Sequence, residues 1–254
     1  MTTALITGAT AGIGAAFAER FATRGFHLVL VARDEVRLAG SARKLRAAGA
    51  ADVETLAADL STVAGRTMVE TRLAAAEQPV DVLVNNAGFG LKGGFLHTPI
   101  EDQEELLDVL VRAVLRLTHA ALPGMVERGR GAVINVSSMA GFAPRGTYSS
   151  AKAWVTNFSE SVAAELTGTG VRCMALCPGF THTEFHERAE VETADIPSWM
   201  WLTVDQVVKT ALHDLARGVP VSIPGAQYKV LAAASRYSPR TLTKRVSRGM
   251  SKRW

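Results

Sequence analysis

Short apolar runs alternate with longer amphipathic stretches as far as about residue 223. Residues 27–32 are nearly all apolar, as expected for a strand buried on both faces, whereas Ile13, Phe17 and Phe21 recur at helical spacing. The pattern predicts strands at residues 4–7, 27–32, 53–57, 80–85, 132–136, 171–177 and 219–223, and helices at residues 12–24, 34–48, 61–76, 101–128 (straight, or bent near Pro123), 148–166 and 204–217. Seven strands alternating with six helices predict an α/β fold, a doubly wound parallel sheet with helices on both faces.

The composition is that of a globular protein. With 254 residues, 48% of them hydrophobic and 20% charged, the chain is long enough for a single domain over residues 1–254. We expect neither a secretory signal nor a transmembrane helix, because the N-terminus has no basic region and the apolar runs are short. The only cysteines, Cys173 and Cys177, lie four apart in a predicted strand, too distant to pair. No His or Cys cluster accompanies them, so we expect no metal site and a reduced, cytoplasmic setting.

The net charge of +4 is concentrated at the C-terminal end. From residue 229 onward the chain has eight basic residues and no acidic one, and the rest of the chain has a net charge of −4. We interpret the basic tail, from about residue 236 to residue 254, either as a solvated terminus or as a contact with an acidic partner chain or an anionic membrane surface. Nucleic acid is not an expected partner, because no aromatic platform or nucleic-acid motif accompanies the charge.

A glycine-rich turn joins the first strand to the first helix. Gly8 permits a tight turn, Gly12 lets the backbone approach a phosphate, and Gly14 lets the helix pack closely on the sheet. The N-terminus of the next helix adds free N–H groups and the positive end of its dipole. The spacing is G-x-x-x-G-x-G rather than G-x-G-x-x-G. Its position between strand and helix nevertheless favours a dinucleotide site in a Rossmann-like sheet over an ordinary turn.

The end of the second strand bears on the choice of cofactor. Ala32 occupies the position where an acidic residue would bind a ribose 2′-hydroxyl, and Arg33 follows it. A guanidinium there suits a 2′-phosphate, to which Thr10 could add a hydroxyl, so the sequence favours NADP over NAD. We interpret Asp34 as a helix cap rather than a ribose ligand. Asp59, at the end of the third strand, either accepts a hydrogen bond from an adenine amino group or caps the next helix.

Tyr148 and Lys152 are four residues apart at the start of a predicted helix, and therefore share one face of it. A phenol with a pKa of about 10 is a poor acid–base group at neutral pH. An ammonium ion one turn away is expected to lower that pKa toward the working range. The pair alone is also compatible with an ordinary exposed helix face.

Polar or glycine-rich runs follow the fourth, fifth and sixth strands as well. They are Asn85-Asn86-Ala87-Gly88, residues 134–141 and residues 177–183. Because the carboxyl ends of parallel strands share one edge of a sheet, we expect all these motifs to surround one ligand site. The five motifs, in this order and spacing, resemble the short-chain dehydrogenase/reductase family over about residues 3–225.

The resemblance implies a catalytic set of Ser138, Tyr148 and Lys152, with Ser137 as the fallback serine. Ser138 would hydrogen-bond the substrate carbonyl, and Tyr148 would protonate its oxygen while hydride arrives from the nicotinamide. Lys152 would lower the pKa of the tyrosine and hold the nicotinamide ribose. The resemblance further implies cofactor contacts at Gly8, Gly12, Ile13 and Gly14, at Asn86, Ala87 and Gly88, at Tyr148 and Lys152, and at Pro178, Gly179 and Thr183.

Two features depart from the family pattern. The step from Ser138 to Tyr148 is ten residues, shorter than the common thirteen, so the loop between them is short. Leu110 falls where the family usually places an asparagine that holds a water in the proton relay through the lysine. Leucine cannot hold a water. The first hypothesis is an NADP-dependent carbonyl reductase or alcohol dehydrogenase. The second is therefore a catalytically weak NADP-binding scaffold or regulator.

The segment 184–202 is apolar-rich and suits a lid over a hydrophobic substrate, or an extra helix packed on the body. With Phe89, Leu91 and Phe95 on the opposite wall, it indicates an apolar ketone or aldehyde as the small-molecule substrate. We interpret His182 and His186 as pocket wall or surface. In relatives the helices at 101–128 and 148–166 pack across a dimer axis, so the resemblance implies a homodimer or homotetramer.

Overall fold

All seven predicted strands form one parallel sheet in the order β3-β2-β1-β4-β5-β6-β7. The computed structural model describes residues 2–185 and 196–237. The strands are β1 Thr3–Thr7, β2 His27–Ala32, β3 Asp52–Ala57, β4 Val82–Asn85, β5 Gly131–Val136, β6 Val171–Leu176 and β7 Val221–Ser222. The strand order reverses between β1 and β4, and at such a point a crevice opens at the carboxyl ends of the strands.

Seven helices lie within the described residues. They are α1 Gly12–Ala22, α2 Glu35–Ala47, α3 Val63–Ala74, α4 Ile100–Glu127, α5 Gly146–Glu165, α6 Val204–Ala216 and α7 Ala226–Tyr237. Short 3-10 helices span Met139–Phe142 and Ser198–Met200. Asp34 caps α2 by accepting a hydrogen bond from the Arg37 N–H, and Thr62 caps α3 by accepting one from the Gly65 N–H. The capping role predicted for Asp34 is therefore confirmed.

The core has two layers, one on each face of the sheet. Alternate strand residues point to opposite faces, so Ile6 packs in the layer that contains Phe17 of α1 and Val207 of α6. Leu5 packs in the layer that contains Val69 of α3 and residues of α4. This arrangement confirms the doubly wound sheet with helices on both faces. The two cysteines are free and buried, as predicted.

Two features of the helices differ from the prediction. The irregularity in α4 is a π-helical segment, Asp108–Arg112, whereas Pro123 lies inside the regular α-helical part. By length and composition α4 could cross a membrane, although no such helix was expected. Its buried residues pack in the core of the domain. The second difference is α7, which was not predicted, because the alternation of apolar runs was followed only as far as about residue 223.

Candidate active site

One groove runs along the carboxyl edge of the sheet with a cavity volume of about 620 Å³. It extends from Arg33 and Arg37, at one end, past the glycine turn to Ser138, Tyr148 and Pro178. The predicted site residues that line it are Gly8, Thr10, Gly12, Ile13, Arg33, Asp59, Asn86, Ala87, Gly88, Ser138, Tyr148, Lys152, Pro178, Gly179 and Thr183. Gly14 does not line the groove. The structure therefore gathers motifs from seven separate segments into one site.

Gly14 and Gly8 pack against each other beneath the groove. A Cβ atom on Gly14 would lie 2.3 Å from the Gly8 carbonyl oxygen, closer than any side chain can approach. Gly8 and Gly12 have φ angles of +65° and +53°, which strain other residues. A Cβ on Gly12 would also meet the Thr183 methyl group at 3.1 Å. The turn thus presents bare backbone to the groove, as a diphosphate cradle requires.

The two asparagines after β4 have structural partners. The Asn86 side-chain amide donates to the carbonyl oxygens of Thr7 and Gly8, at 2.9 and 3.2 Å, and so fixes the glycine turn. The backbone N–H groups of Asn86 and Ala87 donate to the Thr7 hydroxyl. The Asn85 side chain donates to Asn135 Oδ1 at 2.8 Å and thereby bridges β4 and β5. These hydrogen bonds hold the backbone at Asn86 in place where it faces the groove.

The groove ends in two arginines, of which only Arg33 was predicted. Arg33 Nη1 lies 3.8 Å from Glu105 Oε1, and both side chains are largely exposed. Arg37 donates from Nη2 to the Thr10 carbonyl oxygen at 3.3 Å and pairs with Glu184. Arg37 lies four residues after Arg33, on the first turn of α2. That spacing is the signal by which the sequence could have indicated it.

Asp59 lies in the turn before α3 but is not the cap of that helix. Its Oδ1 accepts hydrogen bonds from the N–H and the hydroxyl of Ser61, at 2.9 and 2.8 Å, in the turn before α3. The helix cap itself is Thr62. Asp59 also lines the groove. Its structural role is thus in the turn, and an adenine contact stays a prediction.

Ser138, Tyr148 and Lys152 meet at the other end of the groove. Tyr148 and Ser138 both line the groove, with the Ser138 side chain close enough to lower the pKa of the phenol, and Lys152 Nζ lies 5.8 Å from the centre of the Tyr148 ring. Lys152 is buried and donates to the Val136 carbonyl oxygen at 2.8 Å. The fallback residue Ser137 is engaged elsewhere: its hydroxyl donates to the Lys152 carbonyl oxygen and contacts the Thr156 hydroxyl. The geometry therefore favours Ser138.

The prediction that Lys152 lowers the pKa of Tyr148 toward neutral pH is wrong. Burial raises the pKa of Tyr148 to about 12, and the nearby Ser138 side chain lowers it only in part. Burial also lowers the pKa of Lys152 to about 8. Burial disfavours the charged form of each group, and the attraction between ammonium and phenolate does not offset that cost. The reason is that Lys152 Nζ bonds to the Val136 carbonyl oxygen rather than to the phenol. The site thus holds Tyr148 firmly as a neutral acid.

Leu110 lies beside the lysine, where the family resemblance placed it. It is fully buried in the π-helical segment of α4. A Cβ on Gly88 would lie 2.7 Å from Leu110 Cδ2 and 3.9 Å from Lys152 Nζ, so both side chains border the same point. The surroundings of the ammonium group on this side are apolar.

The substrate end of the groove is bordered by aromatic side chains. Phe89 and Phe185 line it, and the Phe185 ring centre lies 5.9 Å from that of Tyr148. Leu91 packs with Phe89 against α4, whereas Phe95 is 63% exposed and does not line the groove. His182 is exposed, does not line the groove and stacks on Trp201 at 4.5 Å, which fits the surface position among its two predicted places. His186 and most of the predicted lid lie outside the described residues.

Within residues 2–185 and 196–237, no group of three or more His, Cys, Asp or Glu side chains could hold a metal ion. The residues instead fit a dinucleotide. Backbone without side chains faces the middle of the groove at Gly8 and Gly12, two guanidinium groups stand at one end, and a tyrosine–lysine pair stands at the other.

The fold and this groove are those of a doubly wound sheet with a dinucleotide-binding edge. The family model described as short chain dehydrogenase matches residues 2–193. The chain belongs to this family, the short-chain dehydrogenases/reductases, whose members are oxidoreductases that use a nicotinamide cofactor and act on small molecules.

Three similar proteins illustrate the relationship. A short-chain dehydrogenase from Sphingobium yanoikuyae in complex with NADPH is 39% identical, with a TM-score of 0.85 over 93% of this chain and 94% of that chain. The bulky-bulky ketone specific alcohol dehydrogenase from Comamonas testosteroni is 33% identical, with a TM-score of 0.81 over 93% and 92%. A short chain dehydrogenase from Pseudocercospora fijiensis is 40% identical over 192 residues, which are 72% of this chain and 60% of that protein's length.

Proposed function

We propose that the protein is an NADP-dependent carbonyl reductase or alcohol dehydrogenase that uses Ser138, Tyr148 and Lys152. The observation that carries the proposal is that these three side chains line the same groove as the glycine turn, where Lys152 is held by a hydrogen bond to the carbonyl oxygen at the end of β5. When bound, the nicotinamide supplies or accepts the hydride. The chain's own residues must then bind the substrate oxygen and move one proton.

Tyr148 is the proton donor in the direction of reduction. Its raised pKa keeps the phenol protonated at neutral pH, and a substrate oxygen that gains negative charge becomes a good acceptor for that proton. The Ser138 hydroxyl orients the same oxygen. The Lys152 ammonium group, held at the end of β5, places positive charge near the phenolate that remains. The serine, tyrosine and lysine therefore divide orientation, proton transfer and charge stabilisation among them.

NADP is the proposed cofactor, and NAD the less favoured one. Arg33 and Arg37 form a pair of guanidinium groups at the end of the groove, and a 2′-phosphate binds such groups through charge-assisted hydrogen bonds. Thr10 lies beside them, and the Sphingobium neighbour contains NADPH. Gly8, Gly12 and Ile13 would cradle the diphosphate. Asp59 would meet the adenine, Asn86 to Gly88 the ribose, and Pro178, Gly179 and Thr183 the nicotinamide.

The proposed substrate is an apolar ketone or aldehyde, or the matching secondary alcohol. Phe89 and Phe185 give the substrate end an aromatic border, and the Comamonas neighbour is named for bulky ketones. The test is a screen of aliphatic, aromatic and polycyclic carbonyls with NADPH and NADH in parallel. Turnover of apolar carbonyls with NADPH supports the proposal. Turnover of only small charged carbonyls, or equal rates with both cofactors, contradicts its substrate or cofactor part.

A catalytically weak NADP-binding scaffold is the second candidate, favoured by Leu110. An apolar side chain borders the Lys152 ammonium group where a water-holding asparagine would extend a proton relay. Tight NADPH binding without turnover of any carbonyl in the screen would support the scaffold over the enzyme.

We propose that the chain is a single cytoplasmic domain that assembles as a homodimer or homotetramer through α4 and α5. Trp154 and Phe158 stack on each other on the outer part of α5, and Leu107 and Leu115 are about two-fifths exposed on α4. Light scattering of Trp154→Glu tests the assembly. A smaller particle than the wild type supports it.

We further propose that the basic tail contacts an anionic membrane surface. Val230 and Leu231, on the helix that leads into the tail, are 68% and 45% exposed. Sedimentation with anionic and with neutral vesicles, for the full chain and for the chain that ends at residue 237, tests this contact. Unchanged vesicle binding after the deletion contradicts it.

A further inference from the structure

Helix α7 packs behind both loops that carry site residues. It contacts the 3-10 helix Met139–Phe142, which directly follows Ser138. Its residue Tyr228 is 2% exposed and reaches the loop after β6. Tyr228 does not line the groove and has no part in the chemistry proposed above. Its contacts nevertheless concentrate on the backbone that forms the nicotinamide end.

The ring of Tyr228 lies directly on Gly179. A Cβ on Gly179 would fall 1.9 Å from Tyr228 Cζ and 2.2 Å from Cε2, a distance at which no side chain fits. The ring therefore sets how far the backbone at Pro178 and Gly179 can move away from the groove. Glycine is required at this position because of the close approach, not because of its φ angle.

The hydroxyl of Tyr228 joins two distant segments. It accepts a hydrogen bond from the Phe180 N–H at 2.9 Å and donates one to the Met200 carbonyl oxygen at 2.7 Å. Burial raises the pKa of Tyr228, which keeps the hydroxyl a donor at neutral pH. Gln227 adds a bond to the Trp199 carbonyl oxygen at 3.2 Å. The start of α7 thus holds both Phe180, in the loop after β6, and Met200.

The loop after β6, which contains Phe180, borders the site. Thr183 and Phe185 line the groove, and Thr181 forms an isolated parallel bridge with Leu202. The backbone bonds from Leu202 N–H to the Phe180 carbonyl oxygen and from His182 N–H to the Leu202 carbonyl oxygen connect the same two parts of the chain. The phenol supplies the one side-chain link between Phe180 and Met200 that these described residues show.

We propose that Tyr228 is a positioning residue for substrate and nicotinamide binding: its hydroxyl links Phe180, in the loop after β6, to Met200, and its ring fixes the Pro178–Gly179 backbone. The proposal rests on the proposed function, because it takes the β6 end of the groove as the nicotinamide and substrate side. Tyr228 acts through the loop and touches neither reacting group. Losing the hydroxyl should loosen the loop and leave the sheet intact.

Hydrogen exchange of the full-length chain tests the loop directly. In Tyr228→Phe, which keeps the ring on Gly179, we expect the Phe180 amide to exchange about tenfold faster, the factor for one net hydrogen bond. The amides of β1 to β5 should be unchanged. The control is Thr169→Ala, since that hydroxyl also bridges two backbone groups, Leu166 O and Val171 N, but at the opposite end of β6. Unchanged protection at Phe180, or equal acceleration throughout the sheet, overturns the proposal.

Steady-state kinetics give the second readout. A loosened loop should raise the KM for the carbonyl substrate about tenfold and lower kcat by less than about threefold. A merely structural role would lower the active fraction, which reduces kcat and leaves KM unchanged, and that result contradicts the proposal. The exchange experiment needs no turnover, so it decides the role of Tyr228 even if the proposed carbonyl chemistry fails.

Discussion

Arg37 and Glu184 form an ion pair across the mouth of the groove, with Nη2 of the arginine 3.0 Å from Oε1 of the glutamate. The pair connects α2 to the loop after β6, and the same guanidinium group reaches the Thr10 carbonyl oxygen in the glycine turn. Both side chains are more than one-third exposed, so the pair contributes little to stability and can exchange partners at low cost. Arg37 is therefore available to an incoming phosphate.

The first prediction concerns cofactor choice. Replacing Arg33 or Arg37 by Ser should raise the KM for NADPH by about 10- to 100-fold, the range for one charge-assisted hydrogen bond, and leave the KM for NADH nearly unchanged. Arg43→Ser is the matched control, because Arg43 is exposed on the same helix and does not line the groove. Equal losses with the two cofactors would show that the arginines do not recognise the 2′-phosphate.

The second prediction concerns Leu110. Leu110→Asn should lower the melting temperature, because it places an amide in an apolar cluster, but should raise kcat by restoring a polar group beside Lys152. Leu106→Asn is the control, since Leu106 is also fully buried in that cluster and its change should lower stability without a gain in kcat. If kcat falls alike in both variants, proton supply past Leu110 does not limit turnover.

The third prediction concerns the pH dependence of reduction. As pH rises through about 8, Lys152 loses its proton, while Tyr148, with a pKa of about 12, keeps its own. The value of kcat/KM should therefore fall above about pH 8 with a slope of one proton. Lys152→Arg stays charged, so its residual activity should show no such fall. A wild-type profile that stays flat to pH 10 would contradict the assignment.

The fourth prediction concerns stability. The pKa of Lys152 falls from 10.5 when exposed to about 8 in the folded chain, so the unfolded chain binds more protons between these values. The burial penalty is complete below pH 8 and disappears as pH rises toward 10.5. The gain in unfolding free energy of Lys152→Met over the wild type should thus shrink by up to about 3 kcal/mol from pH 7 to pH 10.5. Urea unfolding of both proteins measures it, and a pH-independent difference would refute it.

The sequence predicted the sheet and the groove because both depend on simple patterns. A strand buried on both faces is apolar throughout, as at residues 27–32, and parallel strands bring their carboxyl ends to one edge. Gly8, Ser138 and Lys152, which are far apart in the chain, were therefore predicted to share one site, and they do.

What the sequence did not predict depends on distance and burial. Tyr228 meets Phe180 across 48 residues, so no local pattern indicates the contact. The pKa of Tyr148 depends on how completely the phenol is removed from water, and residue spacing carries no information on that. The four-residue spacing predicted that Lys152 is near Tyr148. It could not predict that burial changes the pKa of the phenol more than the lysine does.

The most direct test of the central claim is NADPH oxidation by the wild type and by Tyr148→Phe with the best carbonyl from the substrate screen. Cofactor binding is measured in both proteins by NADPH fluorescence. We predict that Tyr148→Phe binds NADPH normally and reduces the carbonyl at least about 100-fold more slowly, as expected for loss of a general acid. Equal rates in the two proteins would contradict the claim that Tyr148 is the proton donor.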